Sequence, residues 1–168
     1  MKKIKRVLFL CSGNTCRSVA AEYLAKYHKN NTFKDELKGV SFDSAGLFHY
    51  YETPQDGTLK YLKEKGIDVN DFKAKRINED LIKKSDLILG FEEKWHIRKL
   101  KRRFKSLKDI DKLDDKLFLL LDFAGEKENL EIKDPFDLPE KEYNKVLQRI
   151  EKGVIKIIEK IIQINKSN

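Results

Sequence analysis

Only two cysteines, Cys11 and Cys16, occur in 168 residues. Five positions apart, they are awkwardly spaced for a structural staple, and a thiol pair of this kind is more often catalytic or redox-active. Three scattered histidines add too few ligands for a zinc site, so no metal is expected and no other cofactor is called for. Long apolar runs are missing as well. Val7-Leu8-Phe9-Leu10 and Leu117-Phe118-Leu119-Leu120-Leu121 fall far short of the roughly 20 residues of a transmembrane helix, and no membrane partner is expected. The basic start is followed by only four apolar residues before Cys11, so no export signal fits and a cytoplasmic protein is expected. Repeats and low-complexity stretches are absent, which leaves one domain over residues 1–168 with a single sizeable core. Neither sign of charge is scarce. The 36 basic and 28 acidic residues leave a net +8, a soluble surface that favours anionic partners without identifying nucleic acid.

Four short segments read as buried strands, at residues 6–10, 40–44, 86–90 and 116–120. The first, third and fourth are apolar without strict alternation, the pattern of parallel strands covered on both faces. Helical patterns fall between them. They lie at 17–29, at 53–66 with Thr53-Pro54 and Gly66 as start and stop signals, at 78–84, at 92–104, and from 142 towards 162. The last is the clearest, with Tyr143, Val146, Leu147, Ile150, Val154, Ile157, Ile158 and Ile161 at helical spacing. Strands alternating with helices predict an α/β fold, a three-layer α/β/α arrangement around a four-stranded parallel sheet. Ligands bind such sheets beyond the carboxyl ends of the strands, at a switch point. Cys11 directly follows the first strand, and Arg17 opens the first helix.

The segment between them reads Cys11-Ser12-Gly13-Asn14-Thr15-Cys16-Arg17-Ser18. A nucleophilic loop for phosphate needs a tight turn that points several N–H groups at one oxyanion. Gly13 and Asn14, tolerant of positive φ, permit it. It needs a cation with two parallel donors, which Arg17 supplies and a lysine would not. It also needs a thiolate, which a helix N-terminus, converging N–H groups and a guanidinium favour. Ser18 is placed to donate a hydrogen bond to the sulfur. Taken singly, a cysteine after an apolar strand is usually a small buried hydrophobe. Strand, Cys, five residues, Arg, Ser and helix in one frame is a much rarer coincidence. The nucleotide-loop patterns G-x-x-x-x-G-K-[ST] and G-x-G-x-x-G are both absent.

Cys11-x-Gly13-Asn14-x-Cys16-Arg17-Ser18, near the start of a chain of this length and element order, resembles the signature of the low-molecular-weight protein tyrosine phosphatase family. Ser44-Ala45-Gly46 after the second strand is similar too. The resemblance implies a nucleophilic Cys11, a phosphocysteine intermediate and its hydrolysis by water. It implies that Asn14 holds the loop through Ser44, and that Cys16 is a reversible disulfide partner protecting Cys11. The leaving group needs a proton, and Asp134 of Lys133-Asp134-Pro135-Phe136 is the matching general acid, presented stiffly because Pro135 restricts it to extended geometry. Asp137 is a rival on sequence alone. Val19 replaces the family's usual proline after Arg-Ser, and Asp137-Leu138 replaces a second aromatic or glycine.

The substrate the resemblance implies is a phosphorylated protein. A phosphotyrosine slot needs aromatic walls, for which His49, Tyr50 and Phe136 are candidates. Thr15 stands where tyrosine-specific members carry an aliphatic residue and resembles the family's protein-arginine phosphatases, leaving phosphoarginine as the alternative. An arsenate reductase of this fold requires further downstream cysteines, and Cys16 is the last in the sequence. The basic run Lys94 to Lys105 admits a nucleic-acid face, but a solvated helix face with Trp95, Leu100 and Phe104 partly buried is the expectation, and nucleic acid is not the expected partner. A monomer or weak homodimer is expected.

Overall fold

β1 (Arg6–Cys11) is apolar after its first residue and lies at the centre of the molecule. The computed structural model describes residues 2–106 and 110–168, the side chains at 110 and 111 excepted. β1 is flanked by β2 (Ser41–Gly46) and β3 (Leu87–Gly90), and β4 (Leu117–Leu119) lies beyond β3. All pairings are parallel and the order is β2-β1-β3-β4. Among the described residues the α-helices are, in chain order, α1 (Arg17–Asn31), α2 (Asp56–Glu64), α3 (Glu79–Lys84), α4 (Lys99–Arg103), α5 (Leu120–Phe123) and α6 (Glu140–Lys166). Alternate side chains of β1 point to opposite faces. Val7, Phe9 and Cys11 pack with α1, α2, α5 and α6, whereas Leu8 and Leu10 pack with Ile82, Ile97 and Leu100 beneath α3 and α4. This is the expected three-layer fold, and its switch point lies where β2 and β3 leave opposite sides of β1.

The differences from the sequence pattern have local causes. α2 starts at Asp56 rather than at Thr53-Pro54, because Gln55 stays extended and donates its N–H to the Thr15 carbonyl at 2.7 Å. The last strand stops at Leu119, and Leu120 begins α5. Leu120 and Leu121 pack down onto Gly153 of α6, where a Cβ would stand 2.6 Å from Leu120 Cδ2. The helix expected at 92–104 is broken. A wide turn, Glu93–Arg98, carries one extra residue before α4 begins. That residue puts His96 into the core and leaves Trp95 48% exposed; Phe104 is partly buried, as expected, whereas Leu100 is fully buried. No helix among the described residues is long and apolar enough to cross a membrane.

α6 supplies the largest apolar stripe, and Leu147, Ile150, Val154, Ile157, Ile158 and Ile161 are all sealed from solvent. Ile157→Ala should therefore cost about 2–5 kcal/mol, and Ile155→Ala, on the partly exposed side, less than about 1 kcal/mol. Urea midpoints of the two variants measure the difference.

Candidate active site

The loop from Cys11 to Ser18 runs from the end of β1 into the first turn of α1, and its shape is set by one side chain. Asn14 adopts the left-handed conformation, φ 55°, and is fully buried. Its Nδ2 donates to Ser18 Oγ at 3.0 Å and to Ser44 Oγ at 2.8 Å, and its Oδ1 accepts the Lys75 N–H at 2.9 Å. The end of β2 leaves no clearance beneath the loop. A Cβ on Gly46 would stand 2.8 Å from both Asn14 N and Gly13 C, so only glycine fits there. Leu47 and Phe48 then donate their N–H groups to the carbonyls of Cys11 and Ser12 at 3.0 and 2.8 Å.

Hydroxyl protons order themselves around Asn14. Ser44 Oγ accepts from the amide and donates to the buried Glu22 Oε2 at 2.5 Å. Burial raises the Glu22 carboxyl above its ordinary range, against the opposing hydrogen bonds from Lys26 and Ser44. Ser18 Oγ also accepts from the amide, which directs its own proton to Cys11 Sγ, 2.9 Å away. The sulfur receives a second donor, the Asn14 N–H, at 3.3 Å.

Arg17 is held rigidly although it begins a helix. Its side chain is 2% exposed, with Nη1 donating to the Ile132 carbonyl at 2.9 Å and lying 3.3 Å from Glu92 Oε2. Nη2 donates to Asp134 Oδ2 at 2.9 Å. Asp134 also accepts the Phe136 N–H at Oδ1, 3.1 Å, so the loop after Ile132 turns around this carboxylate. Asp137, the rival on sequence, sits at φ 63° and lines the neighbouring cavity.

Cys16 lies on the apolar side of the loop. Its Sγ is 2.9 Å from the Tyr143 hydroxyl, which also lies 2.8 Å from Thr58 Oγ1 and 3.0 Å from Gln55 Oε1. Burial outweighs the hydrogen bonds from Thr58 and Tyr143 and pushes the Cys16 thiol up to about 12. Both cysteines are free. Thr15 is buried, and its Oγ1 lies 3.5 Å from Gln55 Nε2.

The wall candidates separate. Tyr50 lies against the loop, since a Cβ on Gly13 would stand 3.2 Å from its Cδ2. His49 instead pairs with Glu52 at 2.8 Å. Phe136, largely exposed, lines a cavity of about 600 Å³ together with Tyr51, Gln55, Leu138 and Tyr143. No group of acidic, His and Cys side chains among the described residues could hold a metal ion.

Sequence reasoning missed Glu92, Gln55, Tyr143 and His96, each of which touches the loop or its arginine from a distant element. His96 is the least predictable, because its position depends on the wide turn. Its Nδ1 accepts the N–H groups of Phe91 and Glu92 at 2.9 and 3.0 Å, which leaves Nε2 to carry the proton and donate to Ser12 Oγ at 3.3 Å. Burial, helped by the nearby Arg17 charge, lowers its pKa to about 2, so the ring is neutral. Protonation therefore favours the unfolded chain. The stability this ring contributes is complete above pH 6.5 and falls as the pH drops below it, by about 1.4 kcal/mol per unit. Between pH 6.5 and 5, wild type should lose about 2 kcal/mol more than His96→Asn. Parallel denaturant titrations at the two pH values check this.

The model of the family described as low molecular weight phosphotyrosine protein phosphatase matches residues 6–167. A probable low molecular weight protein-tyrosine-phosphatase, EpsP, of Ralstonia solanacearum is 30% identical over 154 residues, 90% of this chain and 92% of its own. The crystal structure of a low molecular weight protein tyrosine phosphatase from T. tengcongensis superposes with a TM-score of 0.78 at 32% identity, over 93% of this chain and 99% of that one. The YwlE arginine phosphatase from Geobacillus stearothermophilus superposes with a TM-score of 0.81 at 27% identity, over 98% and 97% of the two chains. With the loop, the fold and these matches in agreement along nearly its whole length, the chain belongs to the low-molecular-weight protein tyrosine phosphatase family of hydrolases.

Proposed function

We propose that this protein hydrolyses phosphotyrosine in proteins through a phosphocysteine intermediate. The observation that carries the reading is the convergence of Cys11 Sγ, its Ser18 donor and the Arg17–Asp134 pair at the end of β1. Cys11 attacks phosphorus as the thiolate. The loop N–H groups and Arg17 take up the charge on the phosphoryl oxygens. Asp134 exchanges its bond to Arg17 for the leaving oxygen and gives it a proton, so that tyrosine departs neutral. Water then attacks the phosphocysteine, Asp134 takes its proton back, and phosphate leaves as the thiolate re-forms. Ser18, which points its proton at the sulfur, stabilises that thiolate as leaving group. Tyr50 against Gly13 and the exposed Phe136 supply aromatic surface for the substrate ring. Cys16, five residues along the same loop, is the proposed disulfide partner of Cys11, and a cytoplasmic setting is proposed with it.

Cys11→Ser should abolish turnover of every phosphate ester. Asp134→Asn should lose about 100-fold or more on phenyl phosphate and far less on p-nitrophenyl phosphate, whose leaving group needs little protonation. Equal losses on the two esters would remove Asp134 from the acid role.

Phosphoarginine is the second reading, carried by Thr15. Its hydroxyl, near the Gln55 amide, gives the loop a polar group where an aliphatic side chain would offer none. Turnover of matched phosphotyrosine and phosphoarginine peptides separates the two readings. In either case Thr15→Ile should raise the tyrosine-to-arginine ratio of kcat/KM about tenfold, the scale of one hydrogen bond to a charged group.

A further inference from the structure

The basic run from Lys94 to Lys105 holds seven lysines and arginines and no acidic residue. Its charges are not spread evenly. Arg98 pairs with Glu93, Lys101 with Asp114, and Arg103 donates to the Leu47 carbonyl. Lys94, Lys99, Arg102 and Lys105 make no ion pair among the described residues, and Lys94 and Lys99 instead lie on aromatic rings. Lys99 Nζ is 4.6 Å from the centroid of Phe48 and 4.9 Å from that of Trp95. Lys94 Nζ is 4.9 Å from the same Trp95 ring. Phe48 in turn stacks on Tyr50, centroids 5.5 Å apart, and Tyr50 lies against Gly13 of the catalytic loop. The chain of contacts Tyr50–Phe48–Lys99–Trp95–Lys94 is thus continuous from the catalytic loop to the basic turn.

Two hydrogen bonds to main-chain carbonyls fix this strip to the site. The N–H of Phe48 is bonded to the Ser12 carbonyl, and Arg103 ties α4 to the carbonyl of Leu47. The wide turn that sends His96 inward to Ser12 sends Trp95 outward, so the same extra residue builds the loop support and the exposed face. A half-exposed tryptophan between two unpaired lysines is poorly accounted for as a solvated helix face. Large rigid aromatics flanked by cations are the side chains that anchor partners.

The geometry points to a docking strip for acidic residues that flank the phosphorylated side chain of the substrate protein. The inference rests on the phosphoprotein phosphatase reading above. A polypeptide whose phosphorylated residue enters the loop passes Tyr50 at the mouth. Its neighbours on that side then meet Phe48 and Trp95 as apolar surface, with Lys94 and Lys99 as cations. Acidic side chains gain from the cations while apolar parts of the segment cover the rings, and the field of the run speeds its approach at low ionic strength. A nucleic acid would meet the same cations, but it would have no reason to follow a strip that ends at the catalytic loop.

The test uses two phosphotyrosine peptides that differ only in carrying four glutamates or four glutamines beside the phosphorylated residue, with p-nitrophenyl phosphate as a loop-only substrate. Wild type should show an about fivefold higher kcat/KM on the glutamate peptide, the scale of two or three exposed ion pairs, and the preference should vanish at high salt. Lys94→Glu/Lys99→Glu should remove or invert it, and should turn over a lysine-flanked peptide faster than wild type does. Absence of p-nitrophenyl phosphate turnover would defeat the phosphatase reading itself. Normal turnover with equal rates on the two peptides would overturn the strip alone. Tight binding of a single-stranded oligonucleotide, lost in the double variant and accompanied by no peptide preference, would also overturn it and assign the face to nucleic acid.

Discussion

Everything at the catalytic end of the molecule depends on the buried Asn14 amide. A left-handed residue in a loop of this kind is costly for most side chains. Here the cost is offset by three hydrogen bonds that tie the loop to Ser18 on α1, Ser44 on β2 and the main chain at Lys75. Those partners belong to three separate segments, so the amide fixes the loop relative to the sheet and the first helix at once. It also sets the direction of the hydroxyl protons. Because both serine oxygens accept from the same amide, Ser18 has its proton left for Cys11, and Ser44 has its proton left for Glu22.

Arg17 shows a second use of burial. A guanidinium beside a catalytic loop must be held in one orientation if its two donors are to meet a phosphoryl group in plane. The Ile132 carbonyl, Glu92 and Asp134 surround it, and the Phe91 ring lies 5.9 Å from its central carbon. Glu92 and Phe91 follow β3, which the sheet order sets beside β1, and the Ile132 N–H bonded to the Phe91 carbonyl brings the loop before α6 to the same place.

The sequence made the fold legible because β1 and α6 carry strong periodic signals that tertiary packing had no cause to override. The loop was legible because it is contiguous: Cys11 to Ser18 contains the nucleophile, the cation and the sulfur donor in one stretch. Asp134 stood out through its neighbour Pro135, but only the family resemblance set it ahead of Asp137. The supports were not reachable in the same way. Glu92, Gln55 and Tyr143 meet the loop only after long crossovers, and nothing in their own surroundings marks them. The break in the helix at 92–104 escaped for a different reason. Periodicity suggested a continuous helix, whereas hydrogen bonds from the Phe91 and Glu92 N–H groups to His96 drew one extra residue into the turn. His49 and Tyr50 could not be ranked from sequence, because adjacent residues of an irregular segment point in directions that only the Phe48–Ser12 hydrogen bond determines.

Tyr143 stands one turn inside α6, the helix that seals most of the apolar core, yet its hydroxyl reaches Cys16, Thr58 and Gln55 behind the catalytic loop. The site therefore lacks the independence that surface loops usually enjoy. To loosen, it must give up contacts held by the most cooperative element of the fold, and fraying of the first turn of that helix is felt directly at Cys16. Local opening of the loop is thereby coupled to the opening of α6. Rigidity at the phosphate site is drawn from the global stability of the domain rather than from the loop's own short-range bonds.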